Sequence, residues 1–331
     1  MAGAEPAPSF IIASDTVLFG QSIEDTLLLQ PVDLAAGGGT LVIADAMLPG
    51  ATVVPINGGG VPGEPHAISG EGSGPFEFEG VVAVARAGDM IAVADSRNLR
   101  VSLFDPAGAP VSEISVPDGV GDIALDARGR LHVHTVGPDP AAAAANVTVF
   151  DAGTGARLGA YGVAEERGDR PTTGLHNRAR LAPRTDGAMW LAYSYRGTVY
   201  PVSADLKLGE PIVLDPDLPA QDSYVEFLDE SGMAYGIVRV EVVPDIAALP
   251  GGGFVARMFL DANRPGARPR PAVRFYDVDG ILRGEQELTG PPMFLRIAVA
   301  PAGLLTLGLS GDYSSRVVRL HRLEQAGPDG P

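Results

Sequence analysis

The feature that most constrains this chain is an internal repeat. Six segments stack on one another: Asp33-Leu34-Ala35-Ala36, Val81-Val82-Ala83-Val84, Asp122-Ile123-Ala124-Leu125, Arg180-Leu181-Ala182-Pro183, Asp245-Ile246-Ala247-Ala248 and Arg296-Ile297-Ala298-Val299. Each has an apolar residue in its second place and Ala in its third. Successive side chains of a strand point to opposite faces, so the first residue and the Ala share one face. After each segment come further strand-like runs. Second strands are expected at 41–43, 90–93, 131–133 and 190–192, and third strands at 101–104, 147–150, 199–202, 273–276 and 317–320. A period of about 40–50 residues is the mark of a repeat architecture.

Several third strands end alike, in Phe104-Asp105-Pro106-Ala107-Gly108, Phe150-Asp151-Ala152-Gly153 and Tyr276-Asp277-Val278-Asp279-Gly280. An Asp that bonds its own backbone, followed by a Gly that accepts positive φ, is hairpin chemistry, and a fourth strand then leads to the next repeat. The pattern predicts an all-β fold, a six-bladed β-propeller with about four antiparallel strands per blade, since a small Ala suits inner strands that converge on an axis. An eight-stranded barrel or a two-sheet sandwich would not explain six copies of one pattern. Blade six runs out of chain after three strands, so Phe10-Ile11-Ile12 or Val17-Leu18-Phe19 is expected to supply its fourth and close the ring. The propeller is assigned to residues 10–323, with flexible tails at 1–9 and 324–331, an irregular Gly/Pro stretch at 55–65 and an insertion at 214–243.

Gly70-Glu71-Gly72-Ser73-Gly74-Pro75-Phe76-Glu77-Phe78, continued by the run from Ile91 through Asp95-Ser96-Arg97-Asn98 to Asp105, resembles one NHL repeat from its glycine-rich lead-in to its terminal Asp turn. The resemblance places the chain with the six-bladed propellers built from NHL-like repeats. It also implies that Asp95 to Asn98 belong to the repeat and mainly hold a turn.

A formal net charge of −17 with Lys207 as the only lysine leaves no Lys-rich patch for a phosphate backbone, so nucleic acid is not an expected partner. With no cysteine there is no disulfide, thiolate metal site or Cys nucleophile. The start, Met1 to Pro8, has neither a basic nor an apolar signal region, and no long apolar run occurs. The expectation is a soluble monomer without membrane insertion, its compartment open, since an Ala/Pro-rich start is also what a trimmed export signal leaves.

The first places of the repeat set Asp33, Val81, Asp122, Arg180, Asp245 and Arg296 in a ring at one mouth of the channel. Two carboxylates about 8 Å apart repel by roughly 2 kcal/mol at an effective dielectric near 20, and two arginines offset most of that. The ring therefore reads first as a salt-bridged collar, second as a small-ligand site, and third as a divalent-cation site. Six-bladed metal-dependent lactonases place Glu, Asn and Asp ligands at this mouth; this chain puts Arg at two of the six positions. His132 and His134 share one strand face and can pinch a metal, although no third ligand is near in sequence. Arg97, Asn98 and His134, with Tyr193, Tyr195 and Arg196 at the matching place in blade four, are secondary ligand candidates.

Three motif matches carry no chemistry. Gly58 to Gly63 lacks the helix that a dinucleotide fingerprint needs, Gly308-Leu309-Ser310-Gly311 lies in a strand, and Asn146-Val147-Thr148 enters one. Loops at 163–177 and 216–240 are the long excursions, where binding usually resides. The leading reading is a non-catalytic binding or scaffolding propeller for a protein or small-molecule ligand, requiring no cofactor. The alternative is a hydrolase or lactonase at the channel mouth, possibly metal-dependent, with Asp122 and Asp245 as its acid/base or metal residues.

Overall fold

The computed structural model describes residues 9–19, 29–68, 70–135, 145–165, 170–214, 225–228, 234–238, 241–260, 270–288, 294–300, 303–309 and 316–326. They form a six-bladed propeller of four-stranded antiparallel sheets. From the axis outward, blade one is Pro31–Gly37, Thr40–Asp45, Ala51–Pro55 and His66–Ile68, and blade two Val81–Ala87, Met90–Asp95, Arg100–Phe104 and Pro110–Ser115. Blade three is Val120–Leu125, Arg130–Thr135, Val147–Asp151 and Arg157–Tyr161; blade four is Ala179–Pro183, Met189–Tyr193, Thr198–Val202 and the short Ile212–Val213. Blade five is Asp245–Ala248, Phe254–Leu260, Arg270–Tyr276 and Leu282–Glu287. Blade six is Phe294–Ala300, Gly303–Leu309 and Arg316–Ala326, closed on the outside by Ser9–Phe19.

Each inner strand neighbours the next, and the sixth neighbours the first. The core is accordingly distributed between blades. Alternate faces of one strand feed adjacent clusters, as with Leu103 against blade three and Phe104 against blade one. The closing strand spans both sequence candidates and pairs from Ser9 with Ala326 to Phe19 with Val318. The ring thus runs from Ser9 to Ala326, three residues beyond the expected end at 323, and the remaining tail residues lie outside the described ones.

Turn chemistry follows the sequence with one shift. Asp105 accepts from the amides of Ala107 and Ala109, and Asp277 from those of Asp279 and Ile281, with Gly108 and Gly280 at positive φ. In blade three the turn is longer than expected: Asp151 accepts from Thr154, and the positive φ falls at Gly155, not Gly153. Two elements were not anticipated. The 163–177 excursion includes a helix, Arg170–His176, with Pro171 in its first turn where the missing amide costs nothing. The insertion before blade five carries a hairpin, Val225–Leu228 with Ala234–Val238. Among the described residues no helix is long and apolar enough to cross a membrane.

Candidate functional site at the channel mouth

Strand register settles which residues form the ring. Asp33 pairs with Ala44, Asp122 with His134, Arg180 with Ala192 and Arg296 with Leu307; the equivalent pair in blade two is Ala83 with Ala94. Val81 therefore sits one bulge earlier, at the level of Pro31, and Ala83 takes its place. The motif of blade two is Ala83-Val84-Ala85, which satisfies the same pattern two residues on.

The ring obeys an alternating rule. An inner strand leaves one edge of backbone groups unpaired toward the axis. Carboxylates of the odd blades cap that edge on the following blade: Asp33 accepts from the Val84 amide at 2.9 Å, Asp122 from Leu181 at 2.8 Å and Asp245 from Ile297 at 2.6 Å. Even blades carry Ala83, Arg180 and Arg296 instead. Arg296 Nε bonds Asp33 Oδ1 at 2.7 Å, whereas Arg180 approaches Asp122 at 3.8 Å and spans the mouth to the carbonyls of Pro244 and Gly121. All five charged residues are buried. Below them lies a cavity of about 130 Å³, lined by Asp33, Asp122, Asp245 and the inner-strand alanines.

Such a low-dielectric cluster shifts protonation. Burial raises the Asp122 carboxyl to about 7, Arg180 opposing and Asp33 reinforcing, and burial raises Asp245 as well. Burial and the neighbouring Arg296 lower Arg180. For Arg296 burial works against the charge, but Asp33, Asp245 and Asp122 outweigh it and hold the guanidinium protonated.

The secondary candidates disperse. Asn98 Nδ2 bonds Asp95 Oδ2 and the Gly72 carbonyl, while Asp95 gathers the amides of Glu79, Gly80, Arg97 and Asn98. Arg97 is exposed and lines a separate groove of about 400 Å³ with Met47, Leu48, Glu71 and Glu79. His134 is buried, bonds the Asn177 carbonyl at 3.0 Å, and is held down to about 4 by burial. Its strand companion His132 lies between Tyr161 and Asp126, so the two imidazoles do not share a ligand. Tyr193 bonds Asn146 at 3.0 Å and lies under the Arg196 guanidinium, which also pairs with Glu165; these groups lace blade three to blade four. Tyr195 is buried near Glu241 and Arg178. Among the described residues no three His, Asp or Glu side chains converge as metal ligands.

One residue escaped sequence reasoning. Arg257 lies on the second strand of blade five opposite Asp245, buried to 3% exposure. Its signal was a single charge inside the apolar run Phe254–Leu260.

The connections divide by face. Those starting and finishing at the ring end are 20–30, 69–80, 136–146, 162–178, 214–244, 261–269, 288–293 and 310–315, together with the shorter 46–50, 96–99, 116–119 and 194–197. The opposite face has short turns apart from 56–65 and 203–211.

Fold and mouth define a six-bladed β-propeller with a charged, internally capped channel entrance. No protein-family model matches the sequence, and no curated protein matches it. A crystal structure of a member of the DUF4221 family from Bacteroides vulgatus is similar in fold, with TM-score 0.57 and 10% identity over 96% of this chain and 99% of that one.

Proposed function

We propose that the protein is a non-catalytic binding propeller that takes a small-molecule or protein ligand on the face where its inner strands begin. The observation that carries this is the division of the strand ends: those joined by the longest connections stand at the end of the charged mouth, and rigid scaffolds carry binding on such connections. NHL-like repeats, ligand binding and a monomeric state belong to the same reading. The hydrolase alternative draws less support, because Asp122 and Asp245 each commit an oxygen to a backbone amide of the next blade.

A small-molecule library screened by thermal shift, with each hit recovered and analysed by chromatography, tests the proposal. A saturable shift with the compound recovered unchanged is expected. Conversion of a hit to product, abolished in Asp122→Asn and Asp245→Asn, would replace binding by hydrolysis.

A further inference from the structure

Charges at the mouth are nearly all matched. Arg296 pairs with Asp33 at 2.7 Å, Arg178 meets Glu241 at 3.1 Å and Arg180 stands 3.8 Å from Asp122. Arg257 is different. Among the described residues its side chain makes no hydrogen bond or ion pair, its Nε is buried without a partner, and its guanidinium carbon lies 5.0 Å from the centre of the Phe259 ring. A guanidinium carries five donors that normally find acceptors, and burying the charge without them is costly. Burial accordingly lowers it to about 10, even though Asp245 and Glu241 favour its charge. Nearby, Ser194 accepts the amides of Val242 and Val243 on its carbonyl while its buried hydroxyl has no partner.

We infer that Arg257 anchors a site for a small monocarboxylate at the channel mouth between blades four and five. The inference rests on the reading of this face as the binding face and names its ligand class. A planar carboxylate matches the guanidinium fork in a bidentate pair. Charge selects a monoanion. Asp245, the register partner of Arg257, and Glu241, which Arg178 holds, both face the cluster and leave it close to neutral, so a second negative charge on the ligand would be repelled. Half-buried Phe259 provides an apolar flank for a hydrocarbon portion.

The test uses the whole chain in thermal-shift titrations with benzoate, acetate and propionate, against sodium chloride at equal ionic strength, neutral benzamide, and inorganic phosphate at pH 8. Wild type, Arg257→Gln, Arg257→Met and Arg157→Gln, an exposed arginine on the outer strand of blade three, are compared. Expected is a saturable rise of several degrees with a monocarboxylate, absent with benzamide and chloride, weaker with phosphate, kept in Arg157→Gln and lost in both Arg257 variants. Without ligand, Arg257→Met should melt no lower than wild type, because it removes an unpaired buried charge. The inference is overturned by a carboxylate response no larger than that to chloride, by one that survives Arg257→Gln, or by a ligand-free Arg257→Met that is strongly destabilised. Failure with carboxylates alongside unchanged binding of another compound at this face would sink the monocarboxylate site and leave the binding reading standing.

Discussion

Asp33 and Asp122 occupy equivalent places in blades one and three, yet their surroundings make them differ in energetic terms. Asp33 holds both an amide and the Arg296 guanidinium, so Asp33→Asn keeps an acceptor but removes the carboxylate charge bonded to a buried cation, at an expected cost of about 3 kcal/mol. Asp122 is raised to about 7 and its arginine is 3.8 Å away; at pH 6 Asp122→Asn should cost less than about 1 kcal/mol, with urea denaturation measuring both. Equal costs would contradict this account of the ring. The raised carboxyl also has a pH signature. Its folded value lies above its unfolded value, so its contribution is complete below the ordinary carboxylate range and lost as pH rises through about 7. His134, held down to about 4, has the opposite dependence: its contribution is complete above the ordinary imidazole value of about 6.5 and is lost as pH falls toward 4. Between pH 6.5 and 8.5 the melting temperature of wild type should therefore fall, and that of Asp122→Asn should fall less. At this scale the repeat phase exposed the five charged ring residues in the sequence. It mis-set blade two because Ala83 and Ala85 both follow a valine, and only pairing with the second strand distinguishes them. Arg257 was not legible, since nothing periodic marks a buried charge on a second strand.

Elements were legible wherever turn residues enforced them. Asp-to-Gly turns end the third strands of blades two, three and five, and Asp95 collects the incoming amides of its own repeat, so local chemistry and tertiary fold agree there. The helix at Arg170–His176 was missed because barely two turns with two threonines and a glycine carry little propensity or periodicity. Close packing of strands gives a sharper expectation at Gly253, which precedes the second strand of blade five. A Cβ there would run into the Tyr276 carbonyl oxygen, backbone that cannot swing aside, whereas a Cβ at Gly58 would meet nothing within 4 Å. Gly253→Ala should cost about 2 kcal/mol and Gly58→Ala less than about 0.5 kcal/mol by chemical denaturation. Comparable costs would mean that blade five can yield at this strand.

For the whole molecule, six copies of one strand pattern made the ring readable, and the shortage of strands in the sixth copy pointed to closure by the N-terminal segment. Ser9–Phe19 covers the edge of Arg316–Ala326 along its length. Removal of residues 1–19 should therefore lower the melting temperature by several degrees and produce self-association through the bared edge, read by size-exclusion chromatography. A monomer of unchanged stability would contradict closure. Function was less legible, because a fold shared at 10% identity shows architecture, and the side chains at the mouth are mainly engaged with one another. The central claim is that binding belongs to the face where the inner strands begin. Its most direct test is amide hydrogen exchange over the whole chain, with and without a saturating compound chosen by its thermal shift. The account predicts protection concentrated at 46–50, 96–99, 194–197, 241–244 and the starts of the inner strands; protection centred on the opposite turns at 105–109, 152–156 and 277–281 would contradict it.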